Sequence, residues 1–147
     1  METNLKDFNN IPKKRISSQL IPETASSFSD LLFFKNWLVG FSNAEGSFFK
    51  KLNGDCCFQL KQVTHIELFE SIITELSVNK KIYIEKSLTN SYVVISLSSK
   101  EDIQKVINFF SFKGLHPLKG LKYIQYLKWL KLLKDSNRYK NLILPSI

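Results

Sequence analysis

Apolar residues recur along the chain with a helical period in some stretches and a two-residue period in others, and the switches lay out a domain. Leu31, Phe34, Leu38 and Phe41 share a helical face, which predicts a helix to about Ala44, capped by Ser29 or Asp30 and stopped by Gly46. Alternating runs Ser47–Leu52 and Asp55–Gln62 flank Asn53-Gly54, a strong hairpin signal. Alternation sets Phe48, Lys50 and Leu52 against Ser47, Phe49 and Lys51, and Cys56, Phe58 and Leu60 against Cys57, Gln59 and Lys61. A second helix, capped by Thr64 with Glu67 as its capping box, carries the stripe Ile66, Phe69, Ile73 and Leu76. A second hairpin is expected from Lys81–Ser87 and Ser91–Leu97, turning at Thr89-Asn90. Ser98 or Ser99 then caps a helix bearing Ile103, Val106, Ile107 and Phe110, which Gly114 and Pro117 break. The last helix spans about Gly120 to Asp135, with Leu121, Ile124, Leu127 and Leu130 expected in the core. The expectation is an α+β domain, αββαββα followed by a further helix, with one four-stranded antiparallel sheet over residues 31–147. Residues 1–30, with Pro12, Pro22, Ser pairs and no helical period, read as an extension or linker.

Composition narrows the classes. At 147 residues and 44% hydrophobic, the chain suits one globular core. Cys56 and Cys57 are adjacent and stand alone, so they argue for neither a disulfide scaffold nor a zinc site, and a reducing compartment fits. No apolar run approaches the roughly 18 residues of a membrane span, so no membrane partner is expected. The first thirty residues lack a signal-peptide apolar region, and Glu2, Asp7 and Glu23 suit a transit peptide poorly. Richness in Lys, Asn, Ile and Phe is compatible with an AT-rich genome, hence the expectation of a mitochondrial protein. The net charge of +8 favours a polyanionic partner. Lys6, Lys13, Lys14 and Arg15 cancel Glu2, Asp7, Glu23 and Asp30, so this charge belongs to residues 31–147.

The stretch from Trp37 to Phe48 concentrates candidate chemistry. Gly40 and Ala44 lie four apart on one helix face, where small residues let a second helix approach closely. Glu45 falls at the helix's last residue, where the macrodipole disfavours an anion and a cation would compensate it. On local physics alone it reads first as an exposed carboxylate beside a C-cap glycine.

Leu38–Gly46, LVGFSNAEG, resembles the nine-residue signature of the LAGLIDADG family of homing endonucleases and intron maturases. Gly46-Ser47-Phe48, Phe58–Gln62 (FQLKQ) and His116–Tyr123 (HPLKGLKY) resemble further segments of that family in the same order, so the resemblance covers about residues 31–140. It implies that two such domains, as a homodimer or with a second LAGLIDADG domain, pack through Gly40 and Ala44 and set their sheets as a saddle over double-stranded DNA. It implies that Glu45 binds a divalent metal, normally Mg²⁺, for phosphodiester hydrolysis. Gln62 corresponds to the strand-end residue that orders the attacking water, and Lys122 to the water-network lysine, with Lys119 as fallback. The implied DNA-facing residues are Ser47, Phe49, Lys51, Cys57, Gln59, Lys61, Tyr83, Glu85, Tyr92 and Val94. This sequence departs from the family at Asn43, commonly Asp, and at Ile66, where some members place a basic residue. Cys57 and Glu85 add little attraction to a duplex.

Basic charge gathers instead between Lys113 and Lys140: eight cations, among them Lys119, Lys128 and Lys131, against Asp135, interleaved with Tyr123, Tyr126, Trp129 and Tyr139. Phosphate contact is the natural use of that excess. Three readings follow. One is a Mg²⁺-dependent homing endonuclease. Another is a non-cleaving binder of structured RNA, such as a group I intron maturase or a subunit of an organellar ribonucleoprotein. A basic α+β protein outside the family is the third.

Overall fold

A computed structural model describes residues 33–63, 65–79 and 82–146. The residues 1–30 extension, the Ser29 or Asp30 cap, Leu31, Thr64 and Lys81 lie outside the described residues.

Helix α1 (Phe34–Glu45) starts from Phe33 without a side-chain cap and buries Phe34, Leu38, Val39, Phe41 and Ser42. Trp37 stacks on both Phe34 and Phe41, with ring centroids 5.6 and 4.9 Å away. The chain passes from α1 into strand β1 (Gly46–Lys50) with no loop. Gly46 makes that possible: its N–H closes the helix onto the Ser42 carbonyl, and a Cβ there would lie 2.7 Å from the same oxygen and 3.3 Å from the Phe58 ring. β1 pairs with β2 (Cys56–Val63) from Gly46↔Leu60 to Lys50↔Cys56. The connection is a three-residue loop rather than a two-residue turn. Lys51 N–H donates to the Asp55 carbonyl, Gly54 takes φ +93°, and the Asn53 side chain accepts from Asp55 N–H at 2.9 Å. Leu52, which alternation sets on the side of Phe48, is therefore at the loop tip and fully exposed.

Helix α2 (Ile66–Leu76) is capped by His65, whose Nδ1 accepts from Leu68 N–H at 3.3 Å. Its buried stripe is Phe69, Ile72, Ile73 and Leu76; Ile66, expected inside, is the helix's first residue and is exposed. Strands β3 (Ile82–Lys86) and β4 (Ser91–Leu97) form the second hairpin around Ser87–Asn90. Ser99 caps helix α3 (Lys100–Ile107) by accepting from Asp102 N–H. This helix does not break at once but widens into a π-helical turn, Asn108–Phe112. Helix α4 (Gly120–Lys134) closes the fold.

The sheet order is β1-β2-β4-β3, antiparallel throughout. This is the expected α+β architecture, four helices and one four-stranded sheet among the described residues. The helices pack on the face carrying Phe48, Phe58, Leu60, Val93, Ile95 and Leu97. Phe48 is the hub, with its ring centroid 4.9 to 5.7 Å from Phe58, Phe110, Tyr126 and Trp129. Each such fully buried side chain is worth about 1.5–3 kcal/mol of transfer free energy. One expectation for α4 fails. Apolar residues surround that helix, and the stripe it buries is Tyr126, Trp129, Leu130 and Leu133, leaving Leu121 and Ile124 exposed and Leu127 half-buried. Tyr139 is also core: its hydroxyl donates to the Ser98 carbonyl at 2.6 Å.

Candidate nucleic-acid and metal site

The sheet face away from the helices is open, and the register lays its side chains in rows. Ser47, Gln59 and Ser96 form one row, Lys61, Val94 and Tyr83 the next, and Val63, Tyr92 and Glu85 the last. Phe49 and Cys57 pair toward the first hairpin. Each residue expected to face a duplex is thus on β1–β4 of this face, or just beyond β1 in the case of Lys51.

The face is less cationic than its lysines suggest. Lys61 Nζ lies 4.7 Å from the Tyr92 ring centroid and 3.1 Å from Glu85 Oε2, so the central cation is already paired. Cys57 and Val94 are fully covered, and the Cys57 thiol lies 3.2 Å from Ser96 Oγ. Burial pushes the Cys57 thiol above the usual cysteine range, so it stays protonated and supplies neither charge nor nucleophile.

Where α1 meets the sheet, an open depression of about 340 Å³ is lined by Glu45, Ser47, Gln59, Lys61, Gln62 and Tyr92. Glu45 and Gln62, far apart in sequence, meet here because Gly46 aligns with Leu60 across the β1–β2 ladder, two residues before Gln62. Gln62 Oε1 accepts from Val63 N–H at 2.9 Å, which leaves the amide nitrogen to donate outward. Glu45 is solvent-exposed at the negative end of α1.

Lys122 reaches the same junction from α4. Its ammonium donates to the Gly46 carbonyl and lies 3.5 Å from Gln125 Oε1. Burial lowers the proton affinity of Lys122 below the usual lysine value, and the Glu45 carboxylate pulls it back up. Gln125, which the sequence did not single out, also accepts from Phe48 N–H at 3.1 Å, so one side chain ties α4 to the start of β1. Asn43 keeps a structural role: its Oδ1 accepts from the backbone N–H of Lys119 at 3.0 Å, joining the end of α1 to the start of α4.

Lys128 and Lys131 do not join this face. α4 packs on the helix side of the sheet, and both residues point into solvent away from it. Arg138 is not available either; its guanidinium pairs with Asp55 at 2.5 Å and pins the C-terminal segment to the first hairpin. On α1, Ala44 is exposed and Gly40 half-buried.

Among the described residues, no cluster of three or more His, Cys, Asp or Glu side chains could hold a metal alone. One exposed carboxylate does suit Mg²⁺, which keeps several waters and takes one or two carboxylates together with substrate phosphate. No helix among the described residues is long and apolar enough to cross a membrane.

No family model matches the sequence. Solved structures do. The homing endonuclease I-SmaMI, a LAGLIDADG protein solved bound to cleaved DNA, is 26% identical over 89% of this chain and 44% of its own, with a TM-score of 0.54. Bound to uncleaved DNA target in the presence of calcium ions, it is 30% identical over 67% of this chain and 36% of its own, TM-score 0.52. Bound to uncleavable DNA with a TTCT central four, it matches at 25% identity over 85% of this chain and 44% of its own, TM-score 0.55. The chain thus spans less than half the length of the protein it matches. The structural match, the sequence identity over most of the described domain and the LVGFSNAEG helix agree: the chain belongs to the LAGLIDADG homing-endonuclease family and carries its signature motif at Leu38–Gly46.

Proposed function

We propose that this domain is one half of a divalent-metal-dependent DNA endonuclease that hydrolyses phosphodiesters in double-stranded DNA. The observation that carries this reading is the junction of α1, β1 and β2, where Glu45 and Gln62 line one depression with the polar end of the sheet's open face. Glu45 is the carboxylate that would hold Mg²⁺, with water and a phosphate oxygen completing the shell. The metal, when bound, would polarise the phosphoryl group and ease deprotonation of water. Gln62 donates to the attacking water through its amide nitrogen. Lys122, held by the Gly46 carbonyl, sits where its ammonium stabilises developing oxyanion charge beside Glu45.

One domain supplies one such carboxylate, so cutting both strands needs a second centre. The exposed side of α1 at Gly40 and Ala44 is the surface through which a second copy, or a second domain of the same family, would dock. Ser47, Phe49, Lys51, Gln59, Lys61, Tyr83 and Tyr92 are the duplex-facing set. Gln, Lys and Ser read base edges, and Phe touches a thymine methyl.

The test is incubation of the purified protein with the uninterrupted form of the gene that carries its reading frame, with Mg²⁺, Mn²⁺ or EDTA, and an RNA-binding assay alongside. Metal-dependent double-strand cleavage is expected. Absence of cleavage with either metal, together with tight RNA binding, would replace this reading with that of a non-cleaving RNA binder.

A further inference from the structure

The outer flank of α4 holds a second concavity that the sheet-face chemistry does not use. It measures about 190 Å³ and is walled by Phe110 and Ser111 of the π-helical turn, Pro117 of the following loop, and Tyr123, Tyr126 and Leu127 of α4. An apolar cavity of about 150 Å³ holds one benzene-sized ring, whereas drug-sized ligands need roughly 300–1,000 Å³. This space therefore takes a single planar ring system. Its wall is not wholly apolar: Ser111 Oγ and Tyr126 Oη lie 2.6 Å apart. Burial pushes Tyr126 ionisation up to about 12, so its hydroxyl remains a hydrogen-bonding group at neutral pH. The π-helical turn that presents Phe110 and Ser111 is itself a rare geometry, found often at binding sites.

Cationic residues predominate along this flank, with Asp135 the acidic residue that follows Lys134. Lys119 lies one helical turn before Tyr123, Lys131 one turn after Leu127, and Lys134 one turn after Leu130, which also lines the concavity; all three lysines are exposed. From Ile103 to Lys134 the sequence has no Asp or Glu. An apolar side chain of a protein partner would fill the ring-sized space but leave these cations unmatched. A nucleobase with its own phosphates satisfies both features, and stacking on aromatic side chains beside a cationic track is how single strands are held.

We propose that this concavity takes one unpaired base of a single-stranded nucleic acid, with the neighbouring phosphates on Lys119, Lys131 and Lys134. It lies on the helix side of the fold, so it is independent of the duplex-facing reading of the sheet.

The test uses the full chain and a fluorescein-labelled hexanucleotide in ribose and deoxyribose forms, each with and without bases, read by anisotropy at low salt. The base-bearing strand should bind about tenfold more tightly than its abasic analogue. Tyr123→Ala should erase that difference, and Tyr123→Phe, which keeps the ring, should preserve it. Tyr123 is 42% exposed, so neither change threatens the core. Affinity for a duplex should be unaltered by both. Preference for either sugar would support the site and identify its source. Equal binding of base-bearing and abasic strands, or a base preference that survives Tyr123→Ala, would overturn the proposal and leave the concavity to a protein side chain.

Discussion

Gly46 has a hydrogen where any other residue would have a carbon 2.7 Å from the Ser42 carbonyl. The atom in the way is backbone, so it cannot rotate aside. Gly46→Ala should therefore cost about 1–3 kcal/mol of stability and shift Glu45 relative to Gln62; thermal or denaturant unfolding checks the first effect. Glu85 acts in the opposite sense. It pairs with Lys61 across the Tyr92 ring, and a phosphate must compete with that carboxylate for the ammonium. Glu85→Gln should tighten binding to duplex DNA several-fold at low salt and steepen the salt dependence by about one contact's worth. The alternation rule read the faces of these residues correctly, since the side-chain period of a strand is fixed by its backbone. It could not show that Lys61 is already paired. That pairing crosses β4 and joins residues 24 apart, a consequence of the register alone.

Helix α4 illustrates what an element's pattern conceals. Leucines, isoleucine and aromatics occupy every side of it, so two apolar stripes compete and sequence alone has no basis for choosing. Packing decides: the stripe through Tyr126 and Trp129 meets Phe48, and Leu121 is left in water. The amphipathic α1 and the first hairpin, with one apolar face each, were legible for the same reason that α4 was not. The π-helical turn after α3 carries no sequence signal that period counting detects, yet it supplies Ser111 to Tyr126. This gives α4 a titration signature. The folded state binds the Tyr126 proton more tightly than the unfolded chain, whose tyrosine titrates near 10. The stability this confers is complete below about pH 10 and is lost as pH rises toward about 12. The loss amounts to roughly 2–3 kcal/mol over that window. Tyr126→Phe should flatten the alkaline limb of the stability–pH curve, measured by denaturant unfolding between pH 9 and pH 12 (about the range of the shift).

For the whole molecule, the proposed chemistry needs two domains, and the chain spans less than half of the I-SmaMI length. If two copies meet along α1, Gly40→Leu should overpack the interface and weaken self-association by roughly ten- to a hundredfold, which sedimentation at micromolar concentration would detect. Wild-type protein that stays monomeric there would assign the surface to another domain. The family resemblance assigns related roles to Glu45, Gln62 and Lys122, and the fold brings all three to the junction of α1, β1 and β2. What it could not convey was the separation of the basic α4 flank from the sheet, because helix and strand lysines look alike in a linear sequence.

In the proposed mechanism each domain supplies one strand-cleaving carboxylate, Glu45. Mixing wild-type and Glu45→Gln chains on a supercoiled plasmid bearing the target, with Mg²⁺, tests it most directly. Mixed dimers should nick one strand and accumulate open circles, while Glu45→Gln dimers should lose at least about a hundredfold in rate yet still bind the duplex. Linear product from Glu45→Gln dimers at the wild-type rate would contradict the account.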